Sequence, residues 1–203
     1  AIIAVDIPIG LLDVAATGGR ACEIAARERL PGRTSSVFSS PTRPALAAQQ
    51  RPGAGYRDVV AANRSGVDGA PGISQQAFAI LPKIGEVDAA LTPALQAVVR
   101  EIHPELCFAT AAGAPMAHAK KTRAGQAERI RVLEALGFRE PAQLFGRGLP
   151  PGCQLDDLLD ACIACWTARC IADGHATTLP AEPTTDARGL RMELWVPTVA
   201  PVE

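Results

Sequence analysis

Uninterrupted apolar residues open the chain, from Ala1 to Val5, and predict a strand over residues 1–7 that is covered on both faces. A second strand is predicted over residues 98–108. Its proposed inner face carries Ile102, Leu106 and Phe108. Alternating apolar residues predict a last strand through Leu190, Met192, Leu194 and Val196.

Helical spacing and end signals predict four longer helices between these strands. They cover residues 20–30, closed by Pro31-Gly32, then 74–97, bent at Pro82, then 122–136 and 155–173. Strands separated by helices indicate an α/β fold. We therefore expect one domain over residues 1–203, with an insertion rich in loops and helices at about 31–97.

Composition excludes a disordered chain and a membrane-spanning protein. The chain has 203 residues, of which 48% are hydrophobic, and a net charge of -1, which excludes a disordered chain. It has no apolar run near the ~18 residues of a membrane span and no secretion signal, so a cytoplasmic protein without membrane contact is expected. Cys162 and Cys165 form a C-x-x-C within a predicted helix, where reduced core thiols are favoured over zinc or redox chemistry.

Charge is unevenly distributed despite the near-zero total. Residues 20–57 contain seven Arg against only Glu23 and Glu28. Such a basic segment can form a phosphate-binding surface. The alternative is a solvated surface rich in Arg, because Arg outnumbers Lys throughout this chain.

Carboxylates fall at three positions that the predicted elements could bring together. Asp6 follows the first strand, where α/β proteins form sites, although it could instead accept loop N–H bonds. Alternation would place Glu101, His103 and Glu105 on one strand face, in a polar cleft or on a solvated edge. The last long helix opens with Asp156, Asp157 and Asp160, as site residues or as partners of the helix dipole.

Together these carboxylates predict a site for hard divalent cations, Mg²⁺ or Mn²⁺, in which Asp157 and Asp160 project together. Two such ions can stabilise the attacking and leaving oxygens in phosphodiester cleavage. The sequence contains no G-x-x-x-x-G-K-[ST], G-x-G-x-x-G, G-x-S-x-G or H-E-x-x-H motif, so the competing sites that these motifs mark are not expected.

Eight ordered segments carry a resemblance over essentially the whole chain. They are residues 6–11, 20–27, 35–43, 82–88, 101–106, 120–122, 156–161 and 195–197. In this order they resemble a family of uncharacterised bacterial proteins regarded as ribonuclease H-like nucleases. The resemblance implies a ribonuclease H-like mixed sheet with flanking helices.

The resemblance also implies residue roles. Asp6, Asp157 and Asp160 would bind metal, and Glu101 or Glu105 would assist catalysis. Members of that family begin with a Gly-x-Asp-Gly strand that supplies a first metal ligand. This chain starts at the fourth core strand, so we expect that N-terminal strands precede it in the natural protein and that the chain as printed has little activity.

The leading functional hypothesis is a metal-dependent nuclease acting on DNA or RNA. Its expected phosphate contacts are Arg20, Arg27, Arg33, Arg43, Lys83, Lys120 and Lys121. One alternative is an inactive ribonuclease H-like module that binds nucleic acid or another partner. A third is a nucleotide hydrolase or phosphotransferase. The sequence gives no indication of the oligomeric state.

Overall fold

A computed structural model describes residues 1–139 and 148–198. Four strands lie within this part of the chain: β1 (Ile3–Val5), β2 (Val99–Glu101), β3 (Ala176–Leu179) and β4 (Leu194–Pro197). The helices are α1 (Ala21–Glu28), α2 (Arg43–Gln49), α3 (Tyr56–Asn63), α4 (Gln75–Ala90), α5 (Pro104–Ala112), α6 (Arg123–Ala135) and α7 (Leu155–Ala172). The fold is therefore α/β, as the alternation of elements predicts.

Strands β1 and β2 pair in parallel, with Ile3 opposite Val99 and Val5 opposite Glu101. The first two predicted strands are thus neighbours, although both are shorter than predicted. Parallel strands end at the same edge of a sheet, so the residues that follow β1 and β2 emerge side by side. Strand β1 is not covered on both faces, since Ile3 is 56% exposed.

The predicted strand over residues 98–108 is wrong beyond Glu101. Pro104 occupies the first turn of helix α5, where the N–H that proline lacks would have no partner in the helix. His103 is the extended residue that precedes this helix. Glu101, His103 and Glu105 therefore do not share a strand face.

The C-terminal strands form a second, antiparallel pair, in which Ala176 lies opposite Pro197 and Leu179 opposite Leu194. The sequence pattern missed β3 because Thr177 and Thr178 interrupt its hydrophobic alternation. The predicted strand from Leu190 begins only at Leu194. Between them, Arg191 makes an isolated bridge to Thr185.

Capping residues set the starts of two predicted helices. The Ser74 side chain accepts a hydrogen bond from the Ala77 N–H, and the Thr122 side chain accepts one from the Gly125 N–H. Helix α4 ends at Ala90, earlier than predicted, because Leu91 is extended.

Helix α7 packs against strands β1 and β4 and helices α5 and α6. The core around it includes Phe108, Leu133, Leu159 and Ile163. A separate core within the predicted insertion includes Leu46, Val59, Leu81 and Ile84. In the described ranges no helix is both long and apolar enough to cross a bilayer.

Candidate active site

A cavity of about 630 Å³ opens beside the ends of β1 and β2. It is lined by the acids Asp6, Glu105, Asp156 and Asp157, the cations Arg33, Lys120 and Lys121, and by Ser35, Ser36, Phe38, Gln76, His103, Pro104 and Ala119. Charged side chains come from the end of β1, from the start of α7 and from the loop that precedes α6. The prediction that Asp6 and the start of the last helix meet at one cleft is confirmed.

Lys120 forms an ion pair with Asp160 beside the cavity. Its Nζ donates a hydrogen bond to Asp160 Oδ2 at 2.6 Å. The other oxygen, Asp160 Oδ1, is buried and has no hydrogen-bond partner among the described residues. Asp6, Glu105 and Asp156 also act electrostatically on Lys120 or Asp160, so we call Asp6, Glu105, Asp156 and Asp160 the carboxylate cluster.

Burial is the largest cause of the pKa shifts of Asp6 and Asp160 in the carboxylate cluster. Loss of hydration raises the pKa of Asp160, and the negative charges of Asp6 and Glu105 raise it further. Lys120 acts in the opposite direction and lowers it. Loss of hydration also raises the pKa of Asp6 against the opposing effect of His103 and Lys120, although the residue remains exposed to solvent in the cavity. Burial alone would lower the pKa of Lys120, but Asp160, Asp6 and Asp156 raise it.

The loop that carries Lys120 is held against helix α6. Gly125 packs so closely that a Cβ there would clash with the Ala119 carbonyl oxygen. Glu128 accepts the backbone N–H groups of Ala117 at 2.7 Å and His118 at 3.0 Å. The backbone before Lys120 is therefore fixed from several sides.

Glu105 is the member of the carboxylate cluster with its own cation. It accepts a hydrogen bond from Arg129 Nη2, and Arg129 is fully buried. The Arg129 guanidinium lies 5.6 Å from the centre of the Phe108 ring. Glu105 thus has a structural partner, whereas Asp6, Asp156 and Asp160 all act on Lys120, and His103 also acts on Asp6.

Glu101 lies in a closed network beside the cavity. Its carboxylate accepts both Arg20 Nη1 at 2.9 Å and Arg20 Nη2 at 2.6 Å, and also the Ile9 N–H at 2.7 Å. Arg20 bonds Glu23 as well and is only 2% exposed. Burial would lower the pKa of Arg20, but Glu101 and Glu23 raise it well above its usual value. Arg20 is therefore a structural cation, and the expectation that it contacts phosphate is corrected.

Two other arginines of the basic segment use their guanidinium groups inside the protein. Arg27 donates to the Val37 and Gly18 carbonyls and to Ser39 Oγ, and Arg43 pairs with Asp88 and Asp186. Such bonds hold these cations to the fold. Neither residue lines the cavity, so we do not retain Arg27 and Arg43 as phosphate contacts.

Three of the other predicted phosphate contacts remain accessible. Arg33 lines the cavity while donating to the Met116 carbonyl at 2.8 Å, and Lys121 lines it as an exposed residue. Lys83 is exposed on α4 and is not among the residues that line the cavity.

Asp157 and Asp160 do not project together. Asp157 is exposed, and its Oδ2 accepts the Gln154 N–H at 2.8 Å to cap helix α7. Asp156, to which the resemblance gave no role, is 5% exposed and acts electrostatically on Lys120. Its four-residue spacing from Asp160 is the signal that places two side chains on one helix face.

His103 lies between the closed network and the cavity. Its Nε2 is 3.1 Å from the Ser36 carbonyl oxygen, an acceptor, so this nitrogen carries the proton. Its Nδ1 is buried and has no partner in residues 1–139 and 148–198. The imidazole is thus oriented by Ser36, and its second nitrogen makes no hydrogen bond within the described residues.

Neither a preformed metal group nor a disulfide occurs in the part of the chain that the structure describes. No three His, Cys, Asp or Glu side chains converge there as a metal-binding group. All six cysteines are free thiols, including buried Cys162 and exposed Cys165. Cys162 thus lies in the core as expected, whereas Cys165 does not.

Comparison with known proteins identifies the family of this chain. Searches of curated proteins and of solved structures return no significant match. A family described as "Protein of unknown function (DUF429)" matches residues 1–185. Because that match covers most of the 203 residues, the chain belongs to the DUF429 family.

Proposed function

We propose that this protein is a divalent-metal-dependent nuclease that hydrolyses phosphodiester bonds in nucleic acid. The observation that carries the proposal is the uncompensated charge around Asp160. Four acids form the carboxylate cluster, and the cations bonded to them are Lys120 and Arg129, which leaves two negative charges. A divalent cation would neutralise this excess.

The donors fit a hard cation such as Mg²⁺ or Mn²⁺, which prefers carboxylate oxygens. Asp160 Oδ1 is a buried acceptor without a partner among the described residues, and the exposed carboxylate of Asp6 acts on the same aspartate. Asp6 and Asp160 would hold the ion, with Asp156 adding charge. When bound, the ion would activate water and stabilise charge on the phosphate oxygens.

The cavity also fits a phosphate-bearing substrate. Lys121 and Arg33 place positive charge on its walls, and the half-buried Phe38 offers an aromatic ring to a base. Its volume of about 630 Å³ lies within the ~300–1,000 Å³ of small-molecule sites. We infer that it accepts one nucleotide unit of a strand, with its phosphate toward the carboxylate cluster.

The arrangement of elements supports a ribonuclease H-like reading of the fold. Asp6 follows a strand in a parallel pair, and Asp160 lies in the second turn of the last long helix. These are the positions where the resemblance implies metal ligands. Asp157, which the resemblance implies as a third ligand, is not a ligand in our proposal, in which Asp156 adds negative charge.

The test is cleavage of labelled single- and double-stranded DNA and RNA by the complete gene product with Mg²⁺ or Mn²⁺. Asp6→Asn and Asp160→Asn each remove a negative ligand and should lower the rate by at least about 100-fold. Asp157→Asn is the matched control, because its carboxylate caps the helix, and it should retain cleavage. Equal rates in all three variants would contradict the assigned ligands.

The second candidate is a binding module without catalysis. It is favoured by the Lys120–Asp160 ion pair, which already supplies one positive charge to the acids. A protein that binds nucleic acid but cleaves none of these substrates with either metal would support this candidate over the nuclease.

A further inference from the structure

Lys120 is the only lysine or arginine that forms a salt bridge with Asp160 in the described ranges. The charges of Asp6 and Asp156 also act on the lysine, so one ammonium interacts electrostatically with three carboxylates. Asp160 still keeps one buried oxygen without a partner. A single ammonium therefore only partly satisfies these acids.

We propose that Lys120 is a built-in competitor for the metal: its ammonium occupies the cation position at Asp160, and a divalent ion binds by displacing it. This inference rests on the proposed function. It assigns Lys120 as a positioning residue that controls metal occupancy, which differs from the phosphate contact expected from the sequence.

The surroundings of Lys120 allow this displacement. Its side chain is 38% exposed and opens to the cavity, whereas the cations of the neighbouring ion pairs, Arg20 and Arg129, are almost fully buried. The backbone before Lys120 is fixed by the close approach of Gly125 to Ala119. Displacement therefore requires rotation of a long flexible side chain into the cavity and leaves the fold unchanged.

Competition predicts that wild-type protein binds divalent ions weakly. Removing the ammonium frees Asp160 Oδ2 and makes the net charge of the site more negative by one unit. Because the pair is in hydrogen-bond contact but partly exposed to solvent, the expected gain in metal affinity is about tenfold.

The experiment is a titration with Mn²⁺, in which the electron paramagnetic resonance signal of free Mn²⁺ reports binding to the complete gene product without nucleic acid. Lys120→Met should bind Mn²⁺ about tenfold more tightly than wild type. Lys121→Met is the matched control, because it removes the same charge from the next residue, and should change affinity by less than about twofold. Asp160→Asn added to Lys120→Met should abolish the gain.

Lys120→Arg keeps the positive charge and should retain the weak wild-type affinity. If Lys120→Met does not fold, as judged by circular dichroism, Lys120→Gln removes the charge while keeping a hydrogen-bond donor. Unchanged affinity in the neutral variants, an equal gain in Lys121→Met, or no Mn²⁺ binding in any variant would overturn the inference. Failure of the proposed function is separate, because it would appear as the predicted order of Mn²⁺ affinities in these variants without cleavage of any nucleic acid.

Discussion

Two groups of carboxylates beside the paired strands β1 and β2 have opposite environments. Glu101, at the end of β2, receives two guanidinium bonds and a backbone N–H, and is 5% exposed. Asp160 receives a single ammonium, is influenced by the charge of the exposed Asp6 and keeps a buried oxygen without a partner among the described residues. The first group is closed by internal bonds, while the second remains open to an added cation.

The difference shows that burial alone does not separate structural acids from candidate site residues. Glu101 and Asp156 are both 5% exposed. What separates them is the supply of donors: Arg20 matches Glu101 in charge and geometry, whereas Asp156 shares the one ammonium of Lys120 with Asp160 and Asp6. Unbalanced charge, rather than low exposure, marks the site.

The largest expected effect is on stability, from Glu101→Gln. This change leaves the buried Arg20 without one of its two carboxylates, so the free energy of unfolding should fall by about 3–5 kcal/mol. Urea denaturation followed by circular dichroism measures it. Glu134→Gln, on the exposed surface of α6, is the control and should change stability by less than about 0.5 kcal/mol. A similar small loss in Glu101→Gln would remove the distinction between the two groups.

The sequence predicted the α/β class, the helix bounds near Ser74 and Thr122, and the meeting of Asp6 with the last helix. The fold class and the helix bounds depend on local signals, namely apolar runs and capping residues, whereas the meeting of Asp6 with the last helix follows from the family resemblance. It could not predict that Arg20 pairs with Glu101, because that contact joins residues 81 positions apart. The alternation around His103 predicted a strand, but Pro104 starts a helix there. Charge alone could not show which arginines are bonded internally.

A smaller effect of opposite sign is expected for Asp160→Asn. Because the pKa of Asp160 is raised in the fold, its ionised form opposes folding at neutral pH, and stability should rise by at most about 1 kcal/mol in the variant. The folded wild type binds its proton more readily than the unfolded chain does. The gain should therefore be complete above the raised pKa and should vanish as pH falls to about 4.

Asp186→Asn provides a control with the reverse pH dependence. Burial would raise the pKa of Asp186, but Arg43 and the N–H groups of Leu190, Leu11 and Arg188 lower it overall. Asp186→Asn should therefore destabilise the protein by about 2 kcal/mol at pH 7. This deficit should disappear as pH falls from about 4 through the lowered pKa of the folded state. Parallel pH profiles for the two variants would contradict the assigned environments.

The smallest expected effect concerns the accessible cations. If Lys121 contacts phosphate at the cavity, Lys121→Ala should weaken binding of all nucleic-acid sequences alike and reduce the slope of log affinity against log salt by about 0.7–0.9. Fluorescence anisotropy over a salt series measures this slope. Lys83→Ala, on the exposed face of α4 away from the cavity lining, should leave the slope unchanged. Equal decreases would indicate a diffuse basic surface.

The parallel pairing of Ile3 with Val99 has a consequence for how the protein is made. The first strand emerges from the ribosome long before its partner, and Asp160 follows later still. Contacts between such distant segments form slowly, because a long intervening chain must first be closed into a loop. A nascent chain therefore cannot assemble the carboxylate cluster until helix α7 has been synthesised, so any activity that needs this cluster is withheld from incomplete chains.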